Sequence, residues 1–139
     1  MEVRICDAQS TADDSSELAA LMVACVAQAA IDQDEGEAPA PAPGRLIEEN
    51  LWRAIRFGLD GRMIDLERGE EFPARAIEDR LLAWTAPARS ALGLDPSLAP
   101  ENGAQRQRRA LADGAKIEEV YAAEVAETQR SYQAEGAIT

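Results

Sequence analysis

Signals for a helix, a turn and a strand follow one another in residues 45–66, RLIEENLWRAIRFGLDGRMIDL. The apolar residues recur at the helical spacing of about 3.6, at Leu46, Ile47, Leu51, Trp52 and Ile55. Gly58 is typical of a C-cap and predicts the end of that helix. Asp60-Gly61 predicts a turn, and residues 63–66 predict a short extended segment. This stretch therefore predicts a fold that combines helix and strand.

The N-terminal third combines a strand pattern, a helix pattern and a linker pattern. Glu2–Asp7 alternates with β-branched residues, which predicts a strand whose partners lie elsewhere, because a lone strand has no ladder. Capping residues at 13–16 predict the start of a helix that should run to about Ile31. Residues 32–43, DQDEGEAPAPAP, predict an exposed linker or long loop, with polyproline II as the default conformation of its alternating Pro–Ala run. An SH3-type ligand is the less favoured interpretation of that run.

The rest of the chain reads as helices separated by turns. After a second turn at residues 67–71, Pro73 predicts the first position of a helix that kinks at Pro87 and ends at Gly93. Two further helices are expected at about 104–112 and 117–134. We therefore expect an α+β fold that is mostly helical, with a short antiparallel element of two or three strands.

Composition excludes several classes of function. The formal net charge is −12, from 26 acidic and 14 basic residues, so neither nucleic acid nor an anionic membrane is an expected partner. The longest uncharged run, residues 18–31, is too short and too rich in alanine to span a bilayer. The chain has no histidine, which excludes Ser–His–Asp and Cys–His catalysis by this chain alone. Cys6 and Cys25 are expected to be free thiols of a cytoplasmic protein.

Two groups of charged residues are candidates for ligand binding. Glu2 and Arg4 share one face of the predicted strand, where a carboxylate suits a hard cation and a guanidinium suits a phosphate. A salt bridge on a sheet surface is the alternative interpretation. Asn50, Arg53 and Arg56 share a face of the predicted helix and could bind an anionic ligand.

Each of these groups has a plain structural alternative. Glu48, Glu49 and Asp60 could neutralise the helix arginines on a solvated face. A third basic group at residues 105–109, QRQRR, is interpreted as a solvated or salt-bridged helix face. No glycine-rich nucleotide motif, P-loop lysine motif or EF-hand loop occurs in the sequence.

Three stretches, taken in order, resemble the C-terminal third of bacterial carboxylate–amine ligases of the glutamate–cysteine ligase family. Residues 2–7, EVRICD, resemble the family's E-V-R-[VI]-x-D strand, and residues 50–61, NLWRAIRFGLDG, resemble its N-x-[FW]-x-A-x-R-[FY]-G-L-[DE]-G segment. Ala86-Pro87 with the later Gly93 has the spacing of the family's A-P…L-G, and residues 102–109 and 112–120 resemble its closing helices. The resemblance covers nearly the whole chain except residues 32–43.

The resemblance implies a fold like that of glutamine synthetase, in which a curved antiparallel sheet forms a bowl that holds ATP and Mg²⁺. Family members phosphorylate a glutamate-type carboxylate and let an amine displace the phosphate. By residue match, Glu2 would coordinate the metal, and Arg4 would be a catalytic residue that binds ATP and stabilises the transferring phosphate. Asn50, Arg53 and Arg56 would be further contacts to the cofactor or substrate.

The resemblance also implies that this sequence holds only part of a catalytic domain. The family's long N-terminal portion, with most sheet strands, other metal carboxylates and a histidine, has no counterpart in residues 1–139, and Leu51 replaces an arginine often seen there. We therefore expect one partial domain, inactive alone, that shares ATP and Mg²⁺ with a complementary chain or a second copy and acts on an amino acid. The alternative is a noncatalytic helical interaction module that pairs with a partner chain.

Overall fold

The computed structural model describes residue 3 and residues 6–135, with side chains up to residue 133. Its helices are α1 (Ala12–Glu35), α2 (Gly44–Phe57), α3 (Ala76–Trp84), α4 (Ala86–Leu92), α5 (Gly103–Ala112) and α6 (Ile117–Glu135), and its strands are β1 (Arg62–Ile64) and β2 (Glu71–Pro73). A short 3₁₀ turn, Gly58–Asp60, joins α2 to the strands. The fold is α+β and mostly helical with a two-stranded antiparallel element, which confirms the predicted fold class.

The chain divides into two compact units, which are described separately. The first unit comprises Met1–Val23 and Leu94–Thr139, and the second comprises Ala24–Gly93. In the first unit the backbone N–H of Ala12 donates to Ser131 Oγ at 3.1 Å, and Arg106 pairs with Asp14 at 2.8 Å. Asn102 caps α5 in a reciprocal capping box with Gln105, which fixes where that helix begins.

The second unit has a small core built from short side chains and satisfied polar groups. Ala24 and Ala88 are essentially fully buried there. Gln28 is also buried, and its Oε1 accepts a hydrogen bond from the Ala88 backbone N–H at 3.2 Å. Asp32 accepts from Trp84 Nε1 at 2.8 Å. Because buried polar groups are costly without partners, the Gln28 bond specifies how α1 and α4 meet within this unit, and the exposed Trp84–Asp32 bond adds a contact between α1 and α3.

The hairpin of the second unit is short and held by its turn. Arg62 pairs with Pro73, Met63 with Phe72 and Ile64 with Glu71. Met63 is buried against the unit's interior. The Asp65 carboxylate accepts from the backbone N–H groups of two residues in the turn, 67 and 68, at 3.1 and 3.0 Å. Such Asx turns are a local reason for the chain to reverse direction here.

Three sequence predictions about element boundaries are wrong. Helix α1 runs to Glu35 rather than Ile31, because the acidic residues after Ile31 remain helical until Gly36, whose φ is 76°. Pro73 ends β2 instead of beginning a helix, a position where a missing N–H is tolerated at a sheet edge. The helix expected to kink at Pro87 is two helices, α3 and α4, separated at Thr85.

Of the strand predicted at Glu2–Asp7, residues 2, 4 and 5 lie outside the described residues. Its described members, Val3, Cys6 and Asp7, belong to no strand. Helix α1 extends the apolar segment beyond residues 18–31. By length and composition alone it is apolar enough to cross a membrane, and it is the only such helix in the part of the chain that the structure describes. Core helices of soluble proteins have the same character.

Candidate functional site

Helix α2 is attached to the hairpin by the side-chain amide of Asn50. Asn50 Nδ2 donates to the backbone O of Ile64 at 2.8 Å, and the backbone N–H of Ile64 donates to Asn50 Oδ1 at 2.7 Å. Both the donor and the acceptor of the amide are therefore used by one residue of β1. This is the pairing that a peptide group of a neighbouring strand would provide.

The amide of Asn50 covers the outer edge of the hairpin. At the turn end of the ladder the backbone N–H of Asp65 donates to Glu70 O at 2.8 Å. Along an antiparallel strand, residues whose peptide groups bond to the partner strand alternate with residues whose peptide groups point away from it. Because Asp65 bonds to Glu70, the peptide groups of its neighbour Ile64 point away from β2. Without Asn50 they would be left at an open sheet edge.

A charged cluster, defined as Glu49, Arg53, Arg62 and Glu71, continues the attachment beside Asn50. Arg53 Nε lies 2.8 Å from Glu49 Oε1, and Arg53 NH1 lies 2.7 Å from Glu71 Oε1. Arg62 Nε lies 3.2 Å from the other oxygen of Glu71, Oε2. Two guanidinium groups thus meet two carboxylates, and the charged cluster is neutral as a whole.

Ion pairing shifts the pKa values of two members of the charged cluster, Glu71 and Arg53. Hydrogen bonds from Arg53, the Coulombic field of Arg53 and a hydrogen bond from Arg62 hold the pKa of Glu71 below its ordinary value. Hydrogen bonds to Glu49 and then Glu71 raise the pKa of Arg53 further. The side chain of Arg53 is 19% exposed, so it is the most shielded cation of the charged cluster.

Replacing Glu71 by glutamine should lower the free energy of unfolding at neutral pH. It should also make that free energy fall less as the pH is lowered. Because the pKa of Glu71 is lower in the folded state, its stabilisation is present above the unfolded pKa and is lost as pH falls through the folded pKa. The effect should be modest, since the pair is partly solvated. Urea unfolding from pH 7 to pH 3 measures it, with Glu67→Gln in the exposed turn as the control. Equal pH profiles for the two variants would contradict the expectation.

An open cavity of about 350 Å³ lies beside the charged cluster. Trp52, Phe57 and Gly61 line it together with three members of the charged cluster, Arg53, Arg62 and Glu71. The rings of Trp52 and Phe57 meet edge to face, with centroids 5.6 Å apart. The cavity therefore combines an aromatic wall with charged groups that are already paired.

The predicted site residues do not all lie together in the structure. Asn50 and Arg53 come together at the hairpin, where both bond to groups of the second unit. Arg56 lies apart from them on the surface, with its guanidinium 5.7 Å from the Phe57 ring, and no carboxylate of the described residues pairs with it. Glu2 and Arg4 lie outside the described residues. Their roles, like those of Asn50, Arg53 and Arg56 toward a ligand, stay predictions.

Some of the arginines considered as ligand-binding candidates pair with carboxylates, as the structural alternative predicts. Glu49 neutralises Arg53, and Asp60 pairs with Arg75. In the basic group at residues 105–109, Arg106 pairs with Asp14 of α1 at 2.8 Å, and Arg109 pairs with Glu101. No group of three or more His, Cys, Asp or Glu in the described ranges could hold a metal ion.

Sequence reasoning missed Arg62 and Glu71 as members of this site. The signal that could have found them is the hairpin register, since Arg62 opposes Pro73 and so lies diagonal to Glu71 on one face of the sheet. Assigning Pro73 to a helix hid that register.

The fold places the chain among mostly helical α+β proteins, and comparison with known sequences defines it further. Residues 1–129 match the model of glutamate–cysteine ligase family 2. The chain belongs to this family. A protein of Frankia alni, named "Putative glutamate--cysteine ligase 2-2", is 40% identical over 136 residues, which cover 92% of this chain and 36% of that protein.

Two further relatives match over a similar length of this chain. A Sorangium cellulosum protein is 35% identical over 114 residues, covering 82% of this chain and 29% of its own length. A Salinispora tropica protein is 40% identical over 119 residues, covering 80% and 32%. Both are named "Putative glutamate--cysteine ligase 2". The chain spans about a third of the length of the curated relatives it matches. No solved structure matches it.

Proposed function

We propose that this chain is a segment of an ATP-dependent carboxylate–amine ligase of the glutamate–cysteine type that is incomplete alone. The observation that carries the proposal is the family match over residues 1–129 in a chain that spans about a third of its relatives. The activity follows an acyl-phosphate mechanism, in which a carboxylate is activated by phosphorylation and an amine then displaces the phosphate. The substrate is an amino acid.

In this proposal the chain provides only part of the MgATP site. The described residues contain no group able to hold a metal ion, and Arg53 is already neutralised by Glu49 and Glu71. By the match of residues 2–7 to the family's strand, Glu2 is proposed as one metal ligand and Arg4 as the catalytic cation, with other ligands supplied by the portion that the relatives possess and this sequence lacks. ATP, when bound, supplies the phosphoryl group.

The residues of α2 have a more limited role in the proposal. Asn50 holds α2 on β1 through both ends of its amide, so it positions the helix. Arg56, which no described carboxylate neutralises, is the helix cation best suited to an anionic group of cofactor or substrate. We also propose that the assembled protein is soluble, since Gln28 and Asp32 of the apolar helix α1 bond to groups of α4 and α3. A cytoplasmic location is proposed because Cys6 and Cys25 are free thiols.

The proposal is tested by reconstituting the ligase. The chain is co-expressed with the part of the Frankia alni relative that it does not match, which is about two thirds of that protein. We expect MgATP-dependent release of phosphate with glutamate and cysteine, and no release from either polypeptide alone. A panel of other amines follows if cysteine is inert. A stable complex without any ATP-dependent ligation would contradict the proposal.

A noncatalytic interaction module is the second candidate, and the uncovered apolar side chains of α2 favour it. Ile47, Leu51 and Ile55 are 50%, 43% and 78% exposed. A module of this kind should ignore nucleotide. If MgATP changes neither the thermal stability of the complex nor the affinity between its parts, this candidate replaces the ligase segment.

A further inference from the structure

Helix α2 directs Asn50 and Arg53 toward the hairpin and leaves three of its large apolar side chains in solvent. Asn50 and Arg53, which bond to β1 and β2, mark the face that contacts the hairpin. At about 100° per residue, Ile47, Leu51 and Ile55 lie on a face rotated by roughly 130° from those two residues. We call these three residues the apolar face of α2. In an ordinary surface helix the apolar stripe faces the core, so this arrangement is the reverse.

The apolar face of α2 is exposed along its whole length. Its three members are 50%, 43% and 78% exposed, and Trp52 beside them is 54% exposed. No residue of α2 is buried. Three large apolar side chains on one helix face are thus exposed together, and clusters of this kind on soluble proteins mark interaction sites. An amphipathic helix that docks on a partner presents anchors at this i, i+4, i+8 spacing.

The length of the relatives indicates what covers this face. In the matched relatives, roughly two thirds of the length lies outside the segment that this chain matches. A segment that is one part of a longer fold must leave uncovered the surfaces on which the remainder packs. The hairpin already occupies the polar face of α2, so the apolar face is the one available to the remainder.

We propose that the rest of the ligase fold packs on the apolar face of α2. This is the portion that the relatives possess and this sequence lacks. The inference deepens the proposed function and rests on it for the identity of the occupant. The contact is hydrophobic, and it places α2 between the hairpin on one side and the remaining ligase portion on the other.

The experiment uses the full chain and, as the probe, the unmatched two thirds of the Frankia alni relative. Ile55→Glu is the main variant, because a side chain that is 78% exposed contributes little to the fold of the isolated chain. Leu51→Glu is the second variant, and Leu111→Glu on α5 is its matched control, since the two leucines are 43% and 40% exposed. Affinities are measured by titration calorimetry, after circular dichroism has shown that each variant is folded.

We expect Ile55→Glu and Leu51→Glu to weaken binding by at least about tenfold, because a buried carboxylate is costly at the centre of an interface. Leu111→Glu should bind as the unchanged chain does. Equal binding by all variants, or no binding by the unchanged chain, would overturn the docking proposal. A dimer of the unchanged chain that Ile55→Glu converts to a monomer would also overturn it, because the occupant would then be a second copy.

The two proposals can fail separately. If the unchanged chain binds the probe through α2 and the complex performs no ligation, the docking surface stands and the ligase assignment falls. If ligation is restored and Ile55→Glu forms the complex with unchanged affinity, the ligase assignment stands and the docking surface is misplaced.

Discussion

Arg4→Ala should lower kcat of the reconstituted ligase by about 100- to 1,000-fold, the usual effect of removing one donor that stabilises transition-state charge. The expectation rests on the match of residues 2–7 to the family's strand and on the proposed transfer of a phosphoryl group. Such transfers depend on positioning and charge neutralisation rather than on covalent help from the protein. A guanidinium can hold two phosphate oxygens at once, which alanine cannot replace.

Steady-state kinetics distinguish this role from a merely structural one. An interaction made only in the transition state lowers kcat and leaves KM nearly unchanged. Arg4→Lys should recover part of the rate, since it keeps the charge and loses the two-pronged geometry. Arg130→Ala is the control, because Arg130 is 71% exposed and pairs with Glu127 of its own helix. Full activity of Arg4→Ala would remove Arg4 from the catalytic site.

Asn50→Leu should destabilise the second unit by about 2 kcal/mol, which is the largest loss of stability that we expect from a single substitution here. The change leaves the N–H and C=O of Ile64 without their 2.7 and 2.8 Å partners while preserving the approximate volume of the side chain. The attachment of α2 to β1 then rests on Arg53 and on packing.

Urea unfolding measures this loss, with Asn50→Asp as an informative companion. Aspartate keeps an acceptor for the Ile64 N–H and loses the donor to Ile64 O, so it should be intermediate or, through repulsion of that carbonyl, equally unstable. Asn102→Ala, which removes the cap of α5 in the first unit, serves for scale and should cost about 1 kcal/mol. A stability of Asn50→Leu equal to that of the unchanged chain would show that the amide bonds contribute nothing net.

Elements with strong local signals were predictable from the sequence. The end of α2 at Gly58 and the extents of α5 and α6 follow from glycine, capping residues and helical spacing, and the structure confirms them. Pro73 was misassigned because proline suits both the first turn of a helix and the edge of a sheet. Choosing between these requires the pairing of Pro73 with Arg62, which is a contact between distant residues.

The candidate site was only partly predictable for a related reason. Spacing placed Asn50, Arg53 and Arg56 on neighbouring parts of one helix, yet it could not show what each side chain meets. Asn50 bonds to a residue 14 positions away, and Arg53 to one 18 positions away. The partners of a polar side chain depend on how elements pack, and helical periodicity carries no information about that.

The covered edge of the hairpin has a consequence for how copies of this chain meet one another. Asn50 and Arg53 occupy the outer peptide groups of β1. On β2, Pro73 lacks an N–H and the Glu71 carbonyl accepts from Arg62 at 3.0 Å. Neither side of this hairpin presents an open row of donors and acceptors, so it is protected against the intermolecular strand pairing that begins many aggregates. Association of copies through paired strands of this hairpin is therefore disfavoured.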